Sequence, residues 1–230
     1  MQFLFTQLDP VPIEVRQALQ AKGWTVGHLP FRKVVFQPPS EPPDWPHHEA
    51  VVITSKQAAK WFADHAPPNA PPVAAVGAAT HALLEAADCW FRDAPPANAD
   101  ELVTRLRQRI GTRPTRLLFL CGNKTKATVP DAFPDGECTL YKVYATRKLS
   151  KVFPPVAPNS MVYFQAPTTA LDYFSSFQTS PPRVAVIGPS TAATVRRLGW
   201  TIDFQPSRPE TAALIRELPA PDQLALKARE

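Results

Sequence analysis

The sequence predicts an α/β fold of two duplicated parallel-sheet domains, one of them discontinuous, joined by a two-stranded hinge. Three observations lead there. Short apolar runs of strand length alternate with amphipathic stretches of helical period. Two stretches of the chain repeat one another at a constant offset without a gap. Two ribbons of alternating residues stand where the chain passes from one repeat to the other.

The repeat carries most of the weight. AVVITSKQAAKWF, from Ala50 to Phe62, matches MVYFQAPTTALDYF, from Met161 to Phe174, as an apolar strand, a small-polar loop and an amphipathic segment. VAAVGAATHALL, from Val73 to Leu84, then matches VAVIGPSTAATV, from Val184 to Val195, so that Ser55 pairs with Ala166, Gly77 with Gly188 and Thr80 with Thr191. The echo continues in NADELVTRLRQRI and RPETAALIREL, each with an acidic residue in the first turn and apolar positions at helical spacing. Each copy therefore reads strand, helix, strand, helix, short strand, helix. That alternation specifies a parallel sheet covered by helices on both faces, of the flavodoxin-like kind.

Two further units match in kind: FLFTQLDPVPIEVRQALQAKG near the start and LLFLCGNKTKATVPDAFPDGE from Leu117 to Glu137. The middle copy has its extra unit after it, whereas the C-terminal copy can only borrow the one at the N-terminus. Domain one is therefore expected over residues 1–30 and 150–230, with domain two inserted over 42–140. The crossings, 31–41 and 141–149, hold the ribbons HLPFRKVVFQPP and LYKVYATRKLS, which are expected to pair as a hinge.

Composition agrees with two lobes. A chain of 230 residues is comfortable for two domains with their own cores. Hydrophobic residues at 44% and charged residues at 20% exclude a disordered chain, and 28 prolines must sit in loops and first helical turns. The start, MQFLFTQLDP, lacks a signal peptide's basic and long apolar regions, and no stretch is long enough to span a bilayer. A soluble, cytoplasmic monomer with no membrane contact is expected. Cys89, Cys121 and Cys138 lie far apart without metal-ligand spacing, which predicts reduced thiols. A net charge of +5, spread thinly, suits anions in general. Without a recognition helix or basic stripe, it favours a polycarboxylate small molecule over nucleic acid.

In an open parallel sheet, ligands bind beyond the carboxyl ends of the strands, where loops lead into helices. Thr54-Ser55-Lys56 and Gln165-Ala166-Pro167-Thr168 follow one strand in each domain, and Gly77-Ala78-Ala79-Thr80 and Gly188-Pro189-Ser190-Thr191 follow the next. Glycine lets the backbone approach a ligand, Ser and Thr cap helices, and free first-turn N–H groups hold carboxylates. One such loop alone reads as a helix cap; four equivalent loops favour a shared anion site. Cys121-Gly122-Asn123-Lys124 forms a third loop of this kind, with Lys124 an anion contact and Cys121 a buried thiol rather than a nucleophile. His28, His47, His48, His65 and His81 show no metal-ligand pattern. No dinucleotide, P-loop or nucleophile-elbow motif is present. Tyr144, in VYATR on the second crossing, carries a phenol that is a poor base at neutral pH but a usable proton donor; a half-buried tyrosine on a ribbon is its plain alternative.

The segments AVVITSKQAAKWF, VAAVGAATHALL, LFLCGNKTKATVPDAF, LYKVYATR, VAVIGPSTAATVRRLGW and PSRPETAALIREL, in this order and spacing, resemble uroporphyrinogen-III synthase over nearly the whole chain. The resemblance implies a cofactor-free enzyme that closes hydroxymethylbilane, a linear tetrapyrrole with acetate and propionate side chains, while inverting the last ring and expelling water. It implies that Tyr144 assists departure of the hydroxyl. It further implies that Thr54, Ser55, Gly77, Thr80, Gly122, Asn123, Gly188, Ser190 and Thr191 line the site; Lys56, Lys124, Ala166, Pro167 and Thr168 join them from the loop reading. Two places depart from the family's pattern. Thr6 is followed by Gln7, Leu8, Asp9 and Pro10 where many bacterial members carry Thr-Arg-Pro, and Gln165-Ala166-Pro167 stands for Thr-Ser-Pro. These changes remove a cation and two hydroxyl donors, which leaves open a non-catalytic binding or regulatory module that retains the fold.

Overall fold

The computed structural model describes residues 1–133 and 136–226. They divide into two compact units, the first made of Met1–Lys33 with Lys148 onward and the second of Val34–Arg147. The chain begins with β1 (Gln2–Phe5), α1 (Ile13–Ala21) and β2 (Thr25–His28), and passes into the second unit through β3 (Arg32–Phe36). There follow β4 (Ala50–Ile53), α2 (Lys56–His65), β5 (Val73–Ala75), α3 (Ala78–His81), β6 (Cys89–Trp90), α4 (Ala99–Ile110), β7 (Leu117–Gly122) and α5 (Thr128–Ala132). The long strand β8 (Cys138–Lys148) leads back. The first unit is completed by β9 (Ser160–Phe164), α6 (Pro167–Phe177), β10 (Val184–Val186), α7 (Pro189–Arg197), α8 (Thr211–Glu217) and α9 (Pro221–Leu226).

The sheet of the first unit has the order β10-β9-β1-β2 and that of the second β3-β8-β7-β4-β5-β6, with parallel pairing throughout the first and from β8 to β6 in the second. The repeats seen in the sequence fall on β4-α2-β5 and β9-α6-β10, and their pairing is in one register. Val51 faces Val73 while Val162 faces Val184, and Ile53 faces Ala75 while Phe164 faces Val186.

Both sheets are covered on both faces, which is why their central strands are continuously apolar. Successive side chains of a strand point to opposite faces. On β4, Val51 and Ile53 pack with Ala58, Trp61 and Phe62 of α2, while Ala50 and Val52 pack with Leu102, Leu106 and Ile110 of α4. On β9, Met161 and Tyr163 join Val15 and Leu19 of α1 and Leu214 of α8, while Val162 and Phe164 join Tyr173 of α6 and Val195 of α7. The spacing of Leu102, Leu106 and Ile110 puts one face of α4 against its sheet. Its start is fixed by Asn98, whose side chain accepts the Glu101 N–H, while Glu101 accepts the Ala97 N–H in return.

One expectation changes. The short third strand of the C-terminal copy is a single bridge, Ala185 to Phe204, held by the Val186 N–H donating to the Phe204 carbonyl at 3.0 Å. The tail after Leu218 packs on the first unit. Trp24 Nε1 donates to the Pro219 carbonyl at 3.0 Å, and Leu224 is buried with Trp24 and Leu218. Residues 227–230, at the end of that tail, lie outside the described residues.

Beside the first crossing, Arg32 grips Asp172 of α6 with two guanidinium contacts, Nε at 2.5 Å and Nη2 at 3.0 Å. Both residues belong to the first unit. The planar guanidinium matches the carboxylate edge to edge, the strongest form of such a pair.

Candidate active site

In the second unit the chain runs outward from β4 through β5 to β6, then returns to the other side of β4 with β7 and β8. The strand order therefore reverses between β4 and β7, and the crevice beyond their carboxyl ends is where open α/β sheets bind ligands. A pocket of about 300 Å³ opens there. Thr54 and Ser55 line it from the end of β4, Val76 from just past β5, Phe119 from β7, Lys124, Thr125 and Lys126 from the loop into α5, Thr128 from the start of α5, and Tyr144 from β8.

Tyr144 is carried there by an irregularity in the sheet. Along the β7 and β8 pair, Cys121 faces Lys142 but Gly122 faces Tyr144, so one residue of β8 is extra at this point. Such a bulge re-aims a side chain. The Asn123 N–H donates to the Tyr144 carbonyl at 3.0 Å, and Asn123 Oδ1 accepts the Thr146 N–H at 3.0 Å, so Asn123 fixes the bulge from both sides. The ring of Tyr144 lies over Gly122, where a Cβ would come within 2.5 Å of its Cζ. Its hydroxyl donates to Ser55 Oγ at 3.1 Å. Ser55 is also the N-cap of α2 and accepts the Ala58 N–H at 3.1 Å.

Other residues singled out from the sequence do not line this pocket. Lys56 is exposed on the first turn of α2. Gly77 takes a positive φ of 78°, a backbone conformation that a residue with a Cβ rarely adopts, and begins the short α3. Its N–H donates to the Pro96 carbonyl at 2.8 Å, and the Thr80 N–H turns back to Gly77 at 3.0 Å, so these two donors are already committed. Thr80 itself is buried. In the first unit, Ala166, Pro167 and Thr168 open α6, and Gly188, Ser190 and Thr191 open α7, at the carboxyl ends of β9 and β10. Thr191 is buried with its hydroxyl unpartnered, while Thr168 and Ser190 are exposed.

A strand-order switch point, a phenol seated on bare backbone and a rim of lysines meet at this pocket. The family model described as uroporphyrinogen-III synthase HemD matches residues 13–216. The chain belongs to the uroporphyrinogen-III synthase family. It is similar to the crystal structure of uroporphyrinogen-III synthetase from Helicobacter pylori, at 15% identity and a TM-score of 0.64, with 99% of each chain covered. It is also similar to a mutant uroporphyrinogen III synthase from the extremely thermophilic bacterium Thermus thermophilus, at 10% identity and a TM-score of 0.52, over 98% of this chain and 99% of that one. At these identities the two structures speak for the fold, a mixed α/β architecture with parallel sheets. No curated protein sequence matches the chain.

Both departures from the family's sequence pattern have local structural counterparts. The Gln7 side chain is turned on its own loop, donating to the Asp9 carbonyl at 2.9 Å and the Pro10 carbonyl at 3.1 Å. Ala166 holds the N-cap position of α6 with no side-chain acceptor, and Pro167 behind it brings no N–H that would need one. Gln165 keeps a buried Oε1 without a partner.

Sequence reasoning passed over Thr125, Lys126 and Thr128. The signal was in the run Asn123-Lys124-Thr125-Lys126, which continues the loop past Lys124. Burial raises all three thiols, with Cys138 pushed up to about 11 by burial and by Cys121 nearby. They are protonated at neutral pH, which removes Cys121 as a nucleophile. Among the described residues no group of His, Cys, Asp and Glu could hold a metal ion, and no helix is long and apolar enough to cross a membrane.

Proposed function

We propose that this chain is a uroporphyrinogen-III synthase that cyclises hydroxymethylbilane to uroporphyrinogen III, with inversion of ring D and loss of water. It is a cyclising hydro-lyase working without a cofactor, as a cytoplasmic monomer. The observation that carries the reading is Tyr144, whose phenol is seated against Gly122 and Ser55 in a lysine-rimmed pocket of a chain of this family.

In this reading Tyr144 Oη gives its proton to the terminal hydroxyl of the bilane. The carbon–oxygen bond breaks, water leaves, and the pyrrole nitrogen supplies electrons to form an azafulvenium cation. Attack on that cation by the substituted carbon of ring D, at the other end of the bilane, gives a spiro intermediate, whose fragmentation and reclosure deliver the inverted ring. A proton lost from carbon as the pyrrole is restored balances the one that Tyr144 supplied. The protein's work is to hold the chain ends together and place one proton, since orientation can supply most of the barrier lowering in a ring closure.

Lys124 and Lys126 suit the substrate's carboxylates, assisted by the partial positive charge at the start of α2. We infer substrate-binding roles also for Ala166, Pro167, Thr168, Gly188, Ser190 and Thr191, and descent of the two units from one duplicated ancestor. Expression in a bacterial strain that lacks its own uroporphyrinogen-III synthase tests the function: growth without added haem is the expected result. Failure of well-folded, expressed protein to restore growth would favour a non-catalytic binding module.

A further inference from the structure

We propose that Ser55 is a positioning residue that turns the proton of Tyr144 towards the leaving hydroxyl and holds the phenolate once that proton has gone. The proposal rests on the acid role of Tyr144 given above.

A serine hydroxyl has two acceptor positions and one hydrogen to donate. Both acceptor positions of Ser55 are taken in the resting arrangement, by the Ala58 N–H at 3.1 Å and by the Tyr144 hydroxyl at 3.1 Å. The phenol proton is thus spent on Ser55 and is turned away from a ligand. Rotation of the two hydroxyl hydrogens, with every heavy atom in place, reverses the bond. Ser55 then donates to Tyr144 Oη while still accepting from Ala58, and the phenol proton is free for the substrate. The resulting chain runs from the Ala58 N–H through Ser55 and Tyr144 to the leaving oxygen, each bond polarising the next. It begins in the first turn of α2, where the helix carries partial positive charge.

When the proton moves, the carbon–oxygen electron pair departs with water, and the negative charge left on Tyr144 Oη faces the hydrogen of Ser55. The bulge at Gly122 and the bare backbone beneath the ring hold the two oxygens at this distance. A serine that merely caps α2 would stabilise the helix and leave the chemical step untouched.

Steady-state turnover of enzymatically supplied hydroxymethylbilane separates the two roles. The proteins compared are the wild type, Ser55→Gly, Ser55→Thr, Tyr144→Phe and the Ser55→Gly/Tyr144→Phe double variant. Glycine is itself an accepted N-cap, so α2 is retained. Ser55→Gly is expected to lower kcat about tenfold, the worth of one lost hydrogen bond, with KM within about twofold. Ser55→Thr recovers most of the rate, and in the Tyr144→Phe background Ser55→Gly causes no further loss. A wild-type rate for Ser55→Gly, no recovery by threonine, or the same fold loss with and without the phenol would each overturn the role. If Ser55→Gly does not fold, Ser55→Asp replaces it: aspartate caps the helix and accepts but cannot donate, and a wild-type kcat for it would overturn the proposal equally. A Tyr144→Phe protein that turns over normally removes the acid itself, whereas an impaired Tyr144→Phe beside a normal Ser55→Gly removes Ser55 alone.

Discussion

Gly122 leaves open the space that the ring of Tyr144 fills: a Cβ at that position would lie 2.5 Å from Cζ and 2.9 Å from the phenol oxygen. The two residues face each other across the β7 and β8 pair at the point where the register slips. The glycine and the bulge together set where the phenol stands.

Gly122→Ala therefore displaces the ring. Kinetics and thermal melting of this variant are expected to show kcat lower by about 100-fold, as a misplacement of about 1 Å can produce. The added methyl should cost about 1–3 kcal/mol of stability through overpacking. An unchanged kcat would mean that the phenol does not need its present seat.

Lys124 and Lys126 are exposed and line the same pocket. Replacing either by alanine is expected to raise KM up to about fivefold with kcat unchanged, as befits exposed ion pairs. The difference from wild type should shrink as salt is raised, because exposed charges are screened. Salt-independent KM values in the variants would remove these lysines from carboxylate binding.

Asp172 and Arg32 form a pair whose side chains are only 8% and 18% exposed. Removing one partner leaves a buried charge uncompensated. Asp172→Ala is expected to destabilise the first unit by about 3 kcal/mol in urea unfolding, while the apolar double replacement Arg32→Met/Asp172→Leu regains most of that loss. Equal instability of the single and double variants would show that the pair itself, not the stranded charge, carries the energy.

Much of this architecture was legible because the signals were local. The apolar runs around Val51, Val73, Val162 and Val184 are strand-like on their own, and the constant offset between the repeats matches the shared register of their pairing. Ser55 and Lys124 were legible as pocket residues because loops after parallel strands collect at one end of a sheet, and Tyr144 through its place in VYATR on the second crossing. The seat of Tyr144 was not legible. It depends on a bulge, and on a contact with Ser55 across 89 positions of the chain, neither of which leaves a local pattern. Arg32 and Asp172 are 140 positions apart, and no local pattern joins them. Leu224 lay in a polar, proline-rich tail whose docking depends on the carbonyl acceptors at Leu218 and Pro219.

Glu217 accepts both the N–H and the hydroxyl of Ser207, at 2.7 Å each, and these bonds together with Arg216 bring its carboxyl down to about 2. A carboxylate whose folded pKa is depressed adds stability above its unfolded pKa and loses it as pH falls towards the folded one. Melting temperatures of wild type and Glu217→Gln are therefore expected to differ above about pH 5 and to converge as pH approaches 2, the value to which the carboxyl is held. A difference that persists unchanged at the acid end would show that charge on Glu217 is not what matters. Screening at this exposed site keeps the effect small.

Synthase activity is read out by supplying fresh hydroxymethylbilane enzymatically, adding this protein, and resolving the oxidised products into type I and type III porphyrins. Type III well above the control without protein is expected, despite Gln7 and Ala166. Type I alone, from protein shown to be folded, would contradict that activity.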